Sequence, residues 1–246
     1  MAKFNHIGSV FKTNNYGNAV IIEYINSGYL KVRFENTGNE MYTSLSALRS
    51  GSVKDKGSVS TYGVGIIGNV VHSKNGVVDR AFLCWKGMLA RCYDKSIQER
   101  QPSYKGCTVS DDFKHYVQFK AWFEQQVGWD SPNYQLDKDL LYFGNDVYSP
   151  NTCCVIPQKI NLHLTTLPVY GCTRSIEYKK KFKQYCVSMP KSYKTEGSLM
   201  FNTYKEAFKA LKTHKELELR DFAKEFEGEI SAVVYEKLMN YNIHTE

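Results

Sequence analysis

Hydrophobic and polar residues alternate along the first fifty residues in the way that short β-strands require. In residues 29–34, for example, successive side chains fall on opposite faces of an extended chain. The apolar face carries Leu30, Val32 and Phe34, and the outward face carries Lys31 and Arg33. Turns that contain Asn and Gly separate this segment from similar ones. The pattern predicts a small four-stranded barrel or meander over residues 1–55.

A helical period replaces this alternation from Asp79 onward. Apolar residues three and four apart form a stripe, with Ala81, Trp85, Met88 and Cys92 as its members. A second helix is predicted after Ser110, which is a favourable capping residue. Residues 56–78, rich in Gly, Ser and Lys, have the composition of a linker.

The last third of the chain returns to strands and ends in helices. Residues 179–189 predict a basic strand, and residues 199–201 predict a second strand. Asn202 and Thr203 then cap a long amphipathic helix. We therefore expect an α+β fold of three modules. These are a small β-barrel over 1–55, a central module over 79–166 that follows the linker, and a sheet-plus-helix module over 167–246.

Composition narrows the class of partner. The chain has 246 residues, a formal charge of +7 and a pI near 8.9, which favours a polyanionic partner. No run of about 18 apolar residues is present, so we expect no contact with a membrane. The N-terminus lacks the apolar core of a signal peptide, and seven irregularly spaced cysteines indicate a reducing compartment. We expect an intracellular protein.

The densest basic patch lies in the last module. Its members that we expect to contact DNA are Arg174, Lys179, Lys181, Lys183, Lys191 and Lys194. A three-stranded sheet can enter the major groove, so double-stranded DNA is the expected partner. A solvated basic strand without a partner is the alternative. Lys31 and Arg33 are further DNA-binding candidates, although small barrels also bind other proteins.

An acidic block stands out in this basic chain. Asp137 and Asp139 bracket Lys138 in an apolar run that predicts a hairpin turning at Gly144 and Asn145. Such carboxylates can bind Mg²⁺ or another divalent cation, and the lysine can meet phosphate. The alternative is a buried hairpin whose acids are solvated or paired in salt bridges.

Zinc is not expected in this chain. Four cysteines and one histidine are the residues that could gather around it: Cys92, Cys107, Cys153, Cys154 and His163. No Cys-x-x-Cys pair is present, and that spacing is what makes a zinc site recognisable. Buried thiols that pack between elements are the favoured interpretation.

A longer set of residues resembles a known family. Its members are Trp85, Met88, Arg91, Cys92, Tyr93, Tyr104–Cys107, Trp122, Leu136–Asp139, Gly144, Asn145, Tyr148–Cys153, Pro157 and Asn161. In this order they resemble phage proteins described as HNH-like homing endonucleases or phage DNA-binding proteins, over roughly residues 60–165. The first module is similar to the barrel that often precedes this region. The last module resembles the DNA-binding domains of plant ethylene-response factors and integrase arms.

The resemblance implies roles for particular residues. Asp137 matches the metal ligand, Lys138 occupies the place of the catalytic histidine, and Asn161 matches the closing position, with Asn151 or Thr152 near the middle asparagine. A lysine cannot act as a general base near neutral pH unless its pKa is lowered by several units, and the flanking acids should raise it.

One function is favoured and two alternatives remain. The resemblance implies a DNA-binding protein with an altered HNH-like core, in the cytoplasm of a bacterial host cell. The first alternative is an endonuclease in which Asp137 and Asp139 bind Mg²⁺ or another divalent cation. The second alternative is a protein that antagonises a host protein.

Overall fold

The computed structural model describes residues 6–173, 175–188 and 199–244. Helices and several small sheets make up these residues, which confirms the expected α+β class. The chain divides into two compact units. Unit 1 contains Met1–Glu124 and Asp146–Asn151, and unit 2 contains Gln125–Asn145 and Thr152–Glu246. Within the described residues no helix combines the length and the apolar character that crossing a bilayer requires.

The elements are numbered in chain order. The first half of the chain contributes β1 (Val10–Lys12), β2 (Asn18–Asn26), β3 (Tyr29–Phe34), β4 (Glu40–Thr43), α1 (Leu45–Arg49), β5 (Val59–Thr61), β6 (Gly65–Ile66), β7 (Ser73–Lys74), β8 (Val77–Val78), α2 (Arg80–Tyr93), α3 (Lys95–Arg100), β9 (Thr108–Val109), α4 (Asp111–Lys114) and α5 (Tyr116–Phe123). The second half contributes β10 (Tyr134–Asp137), β11 (Val147–Tyr148), β12 (Cys154–Pro157), α6 (Gln158–Leu164), β13 (Ile176–Lys179), β14 (Gln184–Val187), β15 (Leu199–Phe201), α7 (Tyr204–Glu225) and α8 (Ala232–Met239).

The first sheet of unit 1 is an open antiparallel meander in the order β1-β2-β3-β4. The alternation predicted for β3 is confirmed, because Leu30, Val32 and Phe34 are buried in its core. The prediction of a small β-barrel is wrong, since β1 and β4 remain unpaired edges among the described strands. Both edges are only three or four residues long, and the short helix α1 covers the apolar face through Leu45 and Leu48.

The remainder of unit 1 packs on α2. Its predicted stripe is confirmed, because Ala81, Trp85, Met88 and Cys92 are all buried. Trp85 Nε1 also donates a hydrogen bond to the carbonyl of Phe113 (2.7 Å), which ties α2 to the predicted second helix. That helix is divided at His115 into α4 and α5. The segment that reads as a linker contains the hairpins β5–β6 and β7–β8.

Unit 2 is organised around α7. The antiparallel pair β10–β12 leads into α6, and the three-stranded antiparallel sheet has the order β13-β14-β15. One cluster of buried residues joins β12, α6 and α8 to Phe208, Leu219 and Ala223 of α7. A second cluster joins Val187 of the sheet to Ala207 and Leu211 of the same helix.

The buried carboxylate of Asp55 connects two segments of unit 1. It accepts hydrogen bonds from Thr37 Oγ1 (2.6 Å), Asn39 Nδ2 (2.8 Å), Gly57 N (2.8 Å) and Ser58 Oγ (2.9 Å). Thr37 and Asn39 belong to the turn between β3 and β4, whereas Gly57 and Ser58 follow α1. Asp55 therefore fastens the end of the meander to the segment that leads toward α2.

Replacing Asp55 by Ala should lower the free energy of unfolding by about 3 kcal/mol, which is the upper end of the roughly 1.5–3 kcal/mol for one hydrogen bond to a charged group, because the four released donors are half-buried or exposed and regain hydrogen bonds to water. Urea denaturation measures this change. The exposed Asp130 provides the control, and Asp130→Ala should change the free energy of unfolding by less than about 0.5 kcal/mol. Equal effects of the two substitutions would contradict the role given to Asp55.

Candidate nucleic-acid interface and acidic loop

The acidic block forms a loop at the end of β10. The turn predicted at Gly144 and Asn145 is present, since Asn145 N donates to the carbonyl of Tyr142 (3.2 Å), but the predicted hairpin is wrong, because β10 pairs with the distant strand β12. Asp137 Oδ1 accepts hydrogen bonds from the backbone N–H groups of Asp139 (3.0 Å) and Leu140 (2.7 Å). These bonds turn the chain out of the strand, so the carboxylate replaces the backbone partners that β10 loses there.

Lys138 and Asn145 join the two ends of this loop. Lys138 Nζ donates to the carbonyl of Asn145 (2.6 Å) and to Asp139 Oδ1 (2.6 Å). Asn145 Nδ2 donates in return to the carbonyl of Lys138 (2.9 Å). Lys138 is buried although it carries a charge, and its contacts are those that a buried ammonium needs. The side chain that occupies the expected histidine position therefore closes a loop.

The carboxyl group of Asp137 has an unusual electrostatic environment. Burial raises the pKa of Asp137 to about 6, although the Leu140 N–H opposes this change and the Asp139 charge adds to it. Its cross-strand neighbour Cys154 is also buried, and burial raises the pKa of that thiol. Desolvation disfavours the anionic form of both groups.

The two acids do not fit the divalent-cation centre that the resemblance implies. Asp137 directs one oxygen at two backbone N–H groups, and Asp139 is about half exposed and pairs with Lys138. In the part of the chain that the structure describes, no three His, Cys, Asp or Glu side chains gather in a way that could hold a metal ion.

Asn161 lies on α6, next to the pair β10–β12. Its Nδ2 donates to Oε1 of Gln135 (2.7 Å). Gln135 and Asp137 are two residues apart on β10 and therefore share a face of the strand. Asn161 thus approaches the face that carries Asp137 while its own amide is engaged by Gln135.

A cluster of titratable side chains lies between α6 and α7. Glu218 lies 3.4 Å from His163 Nε2, 3.6 Å from His214 Nε2 and 2.9 Å from Lys215 Nζ. Burial and the charge of Lys215 lower the pKa of His163. The helix that carries Asn161 is fixed by apolar packing, since Ile160 belongs to the same buried cluster as the residues of α7.

The predicted basic strand over residues 179–189 is wrong in its first half, because residues 180–183 form a turn, whereas Gln184–Val187 is a strand (β14) and Met189 lies outside the described residues. β13 and β14 pair as a hairpin with Tyr178 opposite Tyr185 and Lys179 opposite Gln184. Residues 180–183, here called the basic hairpin tip, connect the two strands. Lys183 has a left-handed backbone (φ 52°), which a continuous strand cannot include. The stretch lacks the Gly or Asn that would have indicated the turn.

The predicted DNA-binding lysines differ in their surroundings. Lys179 forms an ion pair with Glu177 (2.6 Å). Lys181 and Lys183 are exposed at the tip, and neither forms an ion pair within the described residues. Between them Phe182 is 59% exposed. Arg174, Lys191 and Lys194 lie outside the described residues.

Lys31 and Arg33 are neutralised in part by their own sheet. Glu40 on β4 pairs with Lys31 Nζ (2.7 Å) and with Arg33 Nη2 (2.6 Å). Hydrogen bonding to Glu40 raises the pKa of Lys31, and hydrogen bonding to Lys31 and Arg33 lowers the pKa of Glu40. This pair therefore offers less charge to a phosphate than its sequence suggests.

Sequence reasoning missed two groups of residues. Phe182 was not selected, although an exposed aromatic residue among lysines is typical of a binding surface. Arg91 and Arg100 were not selected as ligand contacts, although both are arginines close to aromatic residues in sequence. Their spatial proximity depends on how α2 and α3 pack, which the sequence pattern does not reveal.

Comparisons of the chain with protein-family models, with curated proteins and with solved structures found no match. The assignment of function therefore depends on the geometry described above.

The pH dependence of stability should reveal the buried carboxyl group. An unfolded aspartate has a pKa near 3.9, so a folded value of about 6 favours the protonated form. The corresponding stability is fully present below pH of about 4 and is lost as the pH rises through about 6. The free energy of unfolding of the wild type should therefore fall between about pH 4 and about pH 8. In Asp137→Asn this fall should be smaller by about 2 kcal/mol.

Urea denaturation at several pH values measures this effect. Asp139→Asn is the matched control, since it removes a neighbouring carboxylate that is half exposed and should leave most of the pH dependence in place. If Asp137→Asn retained the full pH dependence of the wild type, Asp137 would not be a desolvated group.

Proposed function

We propose that this protein binds double-stranded DNA through the basic hairpin tip of unit 2. The observation that carries the proposal is the presence of Lys181, Phe182 and Lys183 together at an exposed turn, where neither lysine pairs with a carboxylate of the described residues. Lys181 Nζ lies 5.7 Å from the ring centre of Phe182, and no described carboxylate neutralises either lysine, so both charges are available to phosphate oxygens, whose binding releases counterions from DNA.

The sheet that bears the tip supports this proposal. One face packs on α7 through Val187 and Ile176, so the strands are held as a firm ribbon. Lys179 and Gln184 lie opposite each other on the other face, where Lys179 pairs with Glu177 (2.6 Å) and Gln184 donates to Asn202 Oδ1 (3.0 Å). The major groove is about 12 Å wide and admits a two-stranded ribbon, so the lysines of the tip, which pair with no described carboxylate, are the groups left to contact DNA. Phosphate contacts at the tip would then fix the register.

In this proposal the HNH-like region of unit 2 is a scaffold that supports binding and carries out no catalysis. Lys138, which occupies the expected place of the catalytic histidine, closes the acidic loop through Asn145 and Asp139. A loop closed in this way supports a scaffold more readily than a proton-transfer site, because the lysine Nζ donates its hydrogen bonds to Asp139 and Asn145 and presents no acceptor to a water proton. The protein in this proposal is phage-type and acts in the cytoplasm of a bacterial host cell.

Substituting the two lysines of the tip should weaken DNA binding. Lys183→Asn suits the left-handed backbone at this position, so we combine it with Lys181→Ala. The double variant should bind a duplex about tenfold more weakly near 100 mM salt, and the slope of log affinity against log salt should fall by about 2. Fluorescence anisotropy over a salt series measures both quantities.

Two other double variants serve as references for this experiment. Lys205→Ala with Lys209→Ala removes the same charge from exposed positions on α7 and should change affinity and slope little. Lys31→Ala with Arg33→Ala should also have the smaller effect, because Glu40 already pairs with both side chains. If that pair proved more damaging than the tip, the meander of unit 1 would be the principal DNA contact.

A second candidate function is hydrolysis of DNA. One observation favours it, namely the order of β10, β12 and α6 in unit 2, with Asp137 at the end of the first strand and Asn161 on the helix. This is the strand–strand–helix order that the HNH resemblance implies. The missing base and the poor fit of the two acids to a metal centre argue against it.

Cleavage of supercoiled plasmid with Mg²⁺ or Mn²⁺, against an EDTA control, tests the second candidate. Lys138→His would supply the missing base and should raise or create activity if the site is a nuclease. Lys138→Gln is the matched control, because it also breaks the contacts with Asp139 and Asn145 but supplies no base. Absence of cleavage by the wild type and by Lys138→His, with DNA binding intact, would exclude the nuclease interpretation.

A further inference from the structure

A cleft of about 420 Å³ opens in unit 1 between α2, α3 and the short turn Pro102–Tyr104. Its lining is Gly87, Ala90, Arg91, Ile97, Arg100, Gln101 and Tyr104. Sites for small molecules have volumes of roughly 300–1,000 Å³, so the cleft is large enough for one. All of these residues are far in sequence from the basic hairpin tip, so a ligand bound in the cleft does not require DNA binding at the tip.

Arg91 is held in a fixed position beside this cleft. Its guanidinium carbon lies 5.6 Å from the ring centre of Tyr104 and 5.5 Å from that of Tyr148. Arg91 Nε donates a hydrogen bond to the hydroxyl of Tyr148 (3.1 Å). The neighbouring Gln98 binds the carbonyl of Cys92 (2.6 Å), which fixes the end of α2. The guanidinium group is thus pre-organised by two aromatic rings.

The cleft contains two cations and no bound carboxylate. Arg91 and Arg100 both line it, and neither forms an ion pair with any residue that the structure describes. Arg100 Nε donates to the carbonyl of Ser96 (3.1 Å), which leaves its Nη atoms for another acceptor. The nearby carboxylate of Asp94 accepts hydrogen bonds from the Ser96 Oγ (2.7 Å) and N–H (2.9 Å), which lower the pKa of Asp94 together with a smaller contribution from the charge of Arg100. Arg91 is half-buried and forms no ion pair with the described residues, and such an arginine favours an anionic ligand.

The geometry points to a phosphate-binding site in this cleft, with Arg91 and Arg100 as the contacts for the phosphate oxygens. A phosphate group carries up to two negative charges and matches the planar, forked donors of two guanidinium groups. The amide of Gln101 and the ring of Tyr104 line the same cleft, where a nucleoside attached to the phosphate would meet them. The phosphate belongs either to a free nucleotide or to a nucleic-acid backbone, and the experiment distinguishes these sources.

Gly87 provides a variant that tests the cleft without removing a cation. It lies one turn before Arg91 on the same face of α2, and a Cβ added there would meet no atom within 4 Å. Gly87→Leu should therefore fold, because Leu has a higher helix propensity than Gly, while its side chain occupies the cleft. Arg100→Gln removes one exposed cation. Arg91→Lys retains the positive charge but loses the planar, forked N–H donors of the guanidinium group. Lys86→Gln is the matched control, since Lys86 is exposed on α2 and does not line the cleft.

Titration calorimetry and thermal unfolding of the full chain test the proposal with inorganic phosphate and with AMP, against potassium chloride and acetate at equal ionic strength. Phosphate and AMP should bind the wild type and raise its Tm, whereas chloride and acetate should not. Arg100→Gln and Arg91→Lys should bind about tenfold more weakly, since a charge-assisted hydrogen bond contributes roughly one to two powers of ten. Gly87→Leu should not bind, and Lys86→Gln should bind normally.

Comparison of AMP with an unphosphorylated DNA duplex identifies the source of the phosphate. Loss of duplex affinity in Gly87→Leu, with the basic hairpin tip intact, would assign the cleft to the nucleic-acid backbone. Loss of AMP binding with unchanged duplex affinity would assign it to free nucleotides. The proposal is overturned if neither phosphate, AMP nor duplex binding responds to Gly87→Leu, or if acetate gives the same response as phosphate.

Discussion

The packing of α7 is the constraint on which unit 2 depends. This helix has 22 residues and so spans about 33 Å, which is long for a unit of this size. One set of its residues packs against α6, α8 and β12, namely Phe208, Leu219 and Ala223. A second set packs against the three-stranded sheet, namely Ala207 and Leu211. The proposed DNA-binding sheet and the acidic loop are therefore supported by one element. A cavity in the middle of α7 would disturb both regions, while a change at the basic hairpin tip would disturb neither.

The start of α7 shows how a local signal can determine such an element. Thr203 Oγ1 accepts from the N–H of Glu206 (3.2 Å), and the Glu206 carboxylate accepts from the N–H of Thr203 (3.1 Å). The cap at Thr203 was predicted from the sequence, as was the buried stripe of α2, because both depend on residues within a few positions of each other. The closed barrel and the acidic hairpin were wrong for the opposite reason. Strand pairing joins residues far apart, and β10 finds its partner only at β12.

The candidate site was predictable in its residue types but not in their roles. The sequence identifies Asp137 and Lys138 as unusual, and the structure agrees that both are buried. The sequence could not reveal that two backbone N–H groups would donate hydrogen bonds to Asp137 Oδ1, or that Lys138 would donate one to the carbonyl of Asn145. A buried charge requires partners wherever it lies, so the same residues can serve catalysis or a loop closure. Only the identity of those partners distinguishes a catalytic role from the closure of a loop.

Ion pairing decides which positive charges are available to a polyanion, and net charge alone does not. Glu40 forms ion pairs with Lys31 and Arg33, and Glu177 forms one with Lys179, so three of the five predicted DNA-binding cations that the structure describes are compensated. Lys181 and Lys183 are not compensated within the described residues, nor are Arg91 and Arg100 in unit 1. The first pair is exposed on a turn, which suits phosphates along a groove. The second pair lies in a cleft with one guanidinium between two rings, which suits a single phosphate held in one place.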